Sequence, residues 1–440
     1  MGMSMENVKT IVLINLVVIS LFLTFNLWTY VPDSTSMQNA KFVQGNEGNT
    51  QTKIADVVRP TSIIVHKDKN HYGSKREGDI ESIYRTLEAG ELHEFKEISI
   101  AKADFLSYVH GEGKIELIFP TNIPFDAVKS MFSMKEKSID KPKHFNRIIL
   151  DPSRSRDQEI KINFVSDGDN SRIYEAKLSG VYLKDIVNAQ NQFIVSAKPY
   201  FDYQINDMKK LFLPDGTTEL SNITYISSNL AVDTFKNALF SDPRYLSPII
   251  EPTKEIFTDG IRSMEIENNQ HMLKYKNSSV SSEKTTDNLM LLQKSFDFVN
   301  GHSGSLDSYR LDYMNKGQTV FRLQEDGYPV FNTDGLAELR QVWGSEEVME
   351  YERPLLSLNT KGIEQKVTLP SGHVVIASLE NNAAVDKRFI KDIGIGYKLA
   401  LDGQVARLQP IWYVKFVEDE AGKQKIYEWS EGGLNGLGSD

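Results

Sequence analysis

The sequence predicts an α+β protein in which an N-terminal transmembrane helix precedes a multi-domain ectodomain of antiparallel sheets and a few helices. The last two domains are expected to share a topology. Three observations lead there. A single long apolar run, Thr10–Tyr30, stands near the N-terminus. Beyond it, short segments alternate apolar and polar residues around Gly-containing turns, the period of half-buried strands. Two later blocks repeat one order of elements.

The apolar run sets the first boundaries: 1–9 as a cytoplasmic N-terminus and 10–30 as the membrane span. At about 1.5 Å per residue the run makes a helix about 31 Å long, close to the roughly 30 Å hydrocarbon core. No charge lies between Lys9 and Asp33, and Trp28 and Tyr30 sit where an interfacial aromatic belt belongs. Lys9 precedes the span and the next base is Lys41, which favours a cytoplasmic N-terminus and an extracellular remainder. The alternative is a cleaved export signal. Ser34 and Ser36 offer small residues for cleavage, but Trp28, Tyr30 and Pro32 crowd the approach, so a retained anchor is expected. Asn15 and Asn26 are eleven residues apart, about 20° around a helix. Ile19 and Phe22 lie on the same side. Asn in a span can hydrogen-bond a neighbouring helix, so Asn15, Ile19, Phe22 and Asn26 form the expected partner face. The competing reading places Asn26 at the wet interface and leaves Asn15 merely tolerated.

Residues 31–53 are polar and aperiodic and read as a stalk, spanning on the order of 25 Å as flexible coil. The first ectodomain block is 54–191. In it "GDIESIYRTLE" (78–88) reads as a helix, "GKIELIFP" (113–120) and "NRIILD" (146–151) as strands, and 159–178 as a hairpin. The charged loop 134–144 is expected to be solvated, with contact to anionic lipid the alternative. The central α+β block is 192–279. Its helix, 232–242, puts Val232, Phe235 and Leu239 on one side and stops at Pro243. A β-meander over 254–275 turns at Asp259-Gly260 and Asn268-Asn269. The polar stretch 277–288 reads as a linker to the C-terminal α+β block, 280–440, which opens with a helix over 289–300. "IFTDGIRSMEIENNQHMLKY" and "VFNTDGLAELRQVWGSEEVMEY" both run from a Phe-plus-DG turn to a closing apolar-Tyr pair. A diverged duplication accounts for this, and chance recurrence of common DG turns is the alternative.

Composition narrows the function. The 440 residues are 40% hydrophobic and 25% charged, ordinary for globular domains and enough for two to four of them. A net charge of −10 weighs against nucleic-acid binding. The absence of cysteine excludes disulfides, thiol catalysis, zinc–thiolate sites and a lipidated cysteine. Mean hydropathy is −0.36, and the later apolar runs are strand-length.

The chemistry-bearing motifs are poor. "GHSGS" (301–305) has Ser305 where a nucleophile elbow needs Gly, and it follows a helix rather than a strand. His93 has no second His four residues on. The eight histidines are scattered. His66 and His71 are the closest pair and read as surface residues of a basic loop. "DGDN" (167–170) lacks the later Gly and Glu of a calcium loop. "GIGYK" (394–398) is too short for a phosphate loop and precedes a strand. The DG pairs at Asp215, Asp259, Asp326, Asp334 and Asp402 read as hairpin turns. Carboxylates are plentiful, yet nothing marks one pair for catalysis. No catalytic, cofactor-binding or metal residue is assigned, and the protein is expected not to be an enzyme.

"SLFLTFNLWTYVPD", "IFTDGIRSMEI", "YRLDYMNKGQTVFRLQEDGYPVF" and "GYKLALDGQVARLQPIWYVKF", in that order after an N-terminal anchor, resemble the YycH proteins of Gram-positive bacteria. The resemblance implies a single-pass protein with its bulk outside the cell membrane. It implies two partners, a related YycI-like membrane protein and the WalK (YycG) sensor histidine kinase of cell-wall metabolism. Regulation is expected to run largely through the transmembrane helices. It also implies an N-terminal domain followed by two α+β domains of similar topology, with no cofactor and no catalytic residues. A second expectation is an extracytoplasmic module that binds a ligand or peptidoglycan without touching the kinase, motivated by Tyr309, Tyr328, Trp412 and Tyr413 in the β-rich blocks. Packing within strands is the plainer account of those aromatics. An envelope hydrolase is the third and weakest reading.

Overall fold

The computed structural model describes residues 52–135, 144–166, 172–267, 271–281, 287–301, 306, 308–417 and 424–437, together with Leu13, Leu16, Val17 and Ser20. Met1–Val43 and Gln44–Asp440 are separate units. In the first, the four described residues are helical, and Leu13, Leu16 and Val17 are exposed. No helix among the described residues is long and apolar enough to cross a membrane. Most of the Thr10–Tyr30 run lies outside the described residues.

The second unit opens with a ten-stranded sheet. Its strands are β1 (Ser62–Lys67), β2 (Asn70–Ser74), β3 (Glu91–Ser99), β4 (Ile115–Pro124), β5 (Ser133–Met134), β6 (His144–Leu150), β7 (Ile160–Val165), β8 (Arg172–Ser179), β9 (Lys198–Asn206) and β10 (Lys209–Pro214). The spatial order is β10-β9-β2-β1-β4-β6-β7-β8-β3-β5, antiparallel except where β5 joins β3. The hairpin expected at 159–178 is β7–β8, with Ile160 opposite Leu178 and Val165 opposite Ile173.

This sheet is covered on both faces, and the strand period of two shows it. Ile148, Phe164 and Tyr174 point into the main core, which also takes Ile80, Ile83, Tyr84 and Leu87 of the helix Glu77–Glu88 and Phe193 of the helix Leu183–Ser196. Their strand neighbours Ile149, Val165 and Ile173 point the other way, into a smaller cluster under Phe105 and Val109 of the helix Phe105–Val109.

The remaining strands are β11 (Thr218–Asn229), β12 (Ser247–Ile250), β13 (Lys254–Thr258), β14 (Arg262–Glu267), β15 (Met272–Asn277), β16 (Tyr309–Asn315), β17 (Gln318–Glu325), β18 (Tyr328–Phe331), β19 (Glu338–Trp343), β20 (Val348–Pro354), β21 (Leu356–Leu369), β22 (Ile390–Asp402), β23 (Val405–Val417), β24 (Gln424–Ser430) and β25 (Gly433–Gly436). They form one sheet ordered β12-β13-β14-β15-β20-β19-β17-β18-β22-β23-β11-β21, with β16 on β17 and β24–β25 beyond β23. A helix and a four-strand meander occur twice. Val232–Leu239 precedes β12–β15, and Asn288–Asn300 precedes β16, β17, β19 and β20. The two meanders meet edge to edge where β15 pairs with β20. The short β18 leaves the second meander and pairs in parallel with β22.

Several local expectations change. "GIGYK" lies inside β22 rather than before a strand. Asp326 and Gly327 have φ of 48° and 82° between Glu325 and Tyr328, a two-residue hairpin turn. Asp259 and Asp402 likewise lie at the β13–β14 and β22–β23 connections. Asp215 and Asp334 do not close hairpins, because β10 and β11 lie in different sheets and β18 does not pair with β19. Local turn chemistry was legible in the sequence, but the pairing partner was not. Asn268, Asn269 and residues 302–305 lie outside the described residues.

Candidate functional site

Strand alternation explains how one polar constellation forms. Val65, Ile115, Leu117 and Ile148 face the main core. Their neighbours His66, Glu116 and Arg147 therefore face the other side, beside the helix Phe105–Val109. All three are nearly inaccessible, Glu116 completely so. His110 closes that helix, and His71 comes from β2 directly opposite His66.

The register that aligns the two histidines comes from the β1–β2 turn. Asp68 and Lys69 have φ of 54° and 61°, a type I′ turn without glycine. Glu112 accepts hydrogen bonds from both turn amides, at 2.7 and 3.1 Å, and so holds a conformation L-residues adopt reluctantly.

The contacts are close. Glu116 Oε1 lies 2.6 Å from both His66 Nε2 and His110 Nδ1, and Arg147 pairs with Oε2. His66 Nδ1 lies 2.7 Å from His71 Nδ1. Phe212 of β10 covers the group, its ring centroid 5.3, 5.0 and 5.1 Å from His66, His71 and His110. Burial pushes the Glu116 carboxyl up, but the charges of His110, Arg147 and His66 outweigh it and hold the group well below the usual carboxylate range. Burial, then the neighbouring His66, draws His71 down. Glu116 is thus ionised and acceptor-only, so each flanking nitrogen carries the proton it shares with Oε1. His71 and His110 also border an open groove lined by Lys102, Ser107, Gln204, Asp207, Lys210 and Phe212.

This constellation corrects the reading of His66 and His71 as surface residues of a loop. They lie on paired strands, and His66 is 2% exposed. The signal was present: His66, Glu116 and Arg147 each sit directly beside apolar strand residues in "IIVHK", "KIELIF" and "NRIIL". Under the assumption of one wet sheet face, each looked ordinary.

The residues expected at a partner face or membrane interface, Asn15, Ile19, Phe22, Asn26, Trp28 and Tyr30, lie outside the described residues. The aromatics singled out for ligand binding are packing residues. Tyr328, Trp412 and Tyr413 are buried, and Trp412 Nε1 donates to the Pro370 carbonyl at 3.0 Å.

A second buried network lies within the second sheet, and contacts beside it reach the first. Asp312 accepts from Lys415 Nζ at 2.6 Å and from Arg322 Nε at 2.7 Å, and Arg322 also reaches Glu338 at 2.8 Å. Burial raises the Asp312 carboxyl, and the two cations more than offset it, holding the group well below the normal range. Tyr413 donates to Asp392 at 2.6 Å and accepts from Lys75 of the first sheet's β2–helix connection at 3.1 Å. Arg310 and Glu77 pair across the same seam at 2.5 Å.

Comparison with known proteins places this architecture in a class built of two family domains. Residues 6–194 match the N-terminal domain of the YycH protein, and residues 208–423 match its C-terminal domain. The chain belongs to the YycH family. It is 26% identical over 435 residues to a Bacillus subtilis (strain 168) protein described as the two-component system WalR/WalK regulatory protein YycH, covering 94% of this chain and 95% of that protein. The crystal structure of YycH from Bacillus subtilis superposes with a TM-score of 0.72 at 24% identity, covering 86% of this chain and 98% of the other. That likeness supports the fold.

Proposed function

We propose that this chain is a membrane-anchored, non-enzymatic accessory protein that modulates a WalK-like sensor histidine kinase through transmembrane helix contacts, together with a YycI-like partner. One observation carries the reading: nearly the whole chain aligns with a protein described as a regulator of a two-component system. The uncharged Thr10–Tyr30 run supports the anchoring part, with the N-terminus in the cytoplasm and residues 54–440 outside the cell. Trp28 and Tyr30 lie at the outer interface, and Asn15, Ile19, Phe22 and Asn26 face the partner helices.

Control of this kind requires that the span contact the kinase differently in its two signalling arrangements. A difference of about 1–3 kcal/mol shifts the balance several-fold or more. The test replaces residues 10–30 with an unrelated apolar helix of equal length in cells that report kinase output. Loss of regulation with the protein still present at the membrane is the expected result. Unchanged output removes helix-mediated control.

The groove beside His71 and His110 favours a second reading, an extracytoplasmic ligand-binding module. Binding there is compatible with kinase control as its input.

A further inference from the structure

We propose that His66, His110 and Glu116 form a binding site for one borderline divalent transition-metal ion, with zinc as the probe. The site is independent of the kinase reading. His66 Nε2, His110 Nδ1 and Glu116 Oε1 lie within 4.8 Å of one another, on three different elements, and converge on one point inside the fold. Two imidazoles and one carboxylate are the donor set of three-ligand zinc sites, which leave a position open for water or a ligand. The same set suits iron and manganese in facial arrangements.

The surroundings fit a metal's outer shell. Arg147 occupies Oε2 of Glu116 and leaves Oε1 as the single coordinating oxygen. With an ion on His66 Nε2, the ring's proton belongs on Nδ1. There His71 Nδ1, 2.7 Å away, is placed to accept it. This is the hydrogen bond that orients a metal-bound imidazole. An ion there displaces the hydrogens that His66 Nε2 and His110 Nδ1 share with Oε1, to the far ring nitrogens or to solvent, and His71 accepts from His66 Nδ1 once its own proton sits on Nε2.

Glu116 Oε1 stands 2.6 Å from each nitrogen, whereas bonds of about 2.0–2.1 Å to a tetrahedral ion separate donors by roughly 3.3 Å. His110 is the donor free to make that adjustment. It ends a helix of five residues and borders the groove, which also provides the route of entry. Phe212 lies over the rings where they meet the groove.

The experiment strips the purified full-length chain of metal, adds zinc, and measures the ion retained after desalting, with cobalt(II) absorption as a second readout. One equivalent per chain is expected. His110→Ala weakens binding at least 100-fold, and His71→Phe weakens it about tenfold, the usual effect of losing an outer-shell partner. His373→Ala, which removes the exposed partner of Asp215, leaves binding unchanged. Glu116→Gln abolishes binding, and its circular dichroism is checked because Arg147 loses the Glu116 carboxylate. Wild-type protein that retains no stoichiometric metal overturns the proposal. So does retention that His110→Ala leaves intact.

Discussion

Lys75 donates to the phenolic oxygen of Tyr413 at 3.1 Å, tying the first sheet to the second across 338 residues of chain. Tyr413 donates its own hydrogen bond to Asp392 at 2.6 Å, so one hydroxyl serves a cation on one side and a carboxylate on the other. Burial drives the Tyr413 hydroxyl well above its ordinary range, and Asp392 beside it adds to the effect.

Tyr413→Phe keeps the ring packing and removes both bonds, leaving Lys75 and Asp392 short of a partner. A loss of about 1.5–3 kcal/mol is expected, the scale for hydrogen bonds to charged groups. Urea denaturation of the purified protein measures it. A change below about 0.5 kcal/mol means that water replaces the hydroxyl at the seam.

Asp312→Asn removes the carboxylate between two buried cations, leaving Lys415 without its ion pair and Arg322 with Glu338 alone. Removing one member of such a group costs about 3–5 kcal/mol at neutral pH. The pH dependence has a definite sign. The folded-state carboxyl is held below its unfolded value, so its contribution is complete above about pH 4 and is lost as the pH falls through the folded-state value. The stability gap between wild type and Asp312→Asn therefore narrows as the pH is lowered from 5 to 2.5. A gap that stays constant over that range contradicts the assignment.

Gly327 and Gly403 both sit in two-residue hairpin turns with positive φ, 82° and 59°. They differ in their surroundings. A Cβ on Gly327 falls 2.1 Å from the Lys75 carbonyl oxygen, whereas one on Gly403 meets open space. Gly403→Ala is expected to cost about 1 kcal/mol, the ordinary price of a left-handed alanine. Gly327→Ala costs several-fold more, because backbone has to move, and thermal melts of the two variants give the comparison. Equal shifts argue that the chain connecting β2 to its helix moves aside without penalty.

Asn15→Leu tests the proposed partner face without disturbing the anchor. Hydrogen bonds between spans average about 0.6 kcal/mol, which corresponds to a two- to threefold change in kinase output. Leu13→Ile, on the opposite side of the same helix, leaves output unchanged. Equal effects from both substitutions point to insertion or abundance rather than to a specific face.

The sequence showed elements better than their neighbours. The helix expected at 78–88 occupies Glu77–Glu88, and that at 232–242 ends at Leu239, before Pro243. Local periodicity and the proline are enough for that. The position of β9–β10 beside β2 was not visible, because pairing between strands distant in sequence leaves no mark in either one. The buried histidines were missed for a related reason. Reading an alternating strand as half-wet assumes that one face meets solvent, and the helix Phe105–Val109 covers the face that carries Glu116. Four separate segments supply His66, His110, Glu116 and Arg147, so no spacing motif records them.

The β9–β10 hairpin has a consequence for how the two halves can be exchanged. It follows the N-terminal family match, which ends at 194, and crosses the start of the C-terminal match at 208, yet it completes the N-terminal sheet. Phe212 therefore roofs histidines that belong to the other module. A hybrid spliced at the family boundary inherits a chamber from one parent and its roof from another. Splicing after Pro214, in the link to β11, keeps the chamber and its roof in a single inheritance.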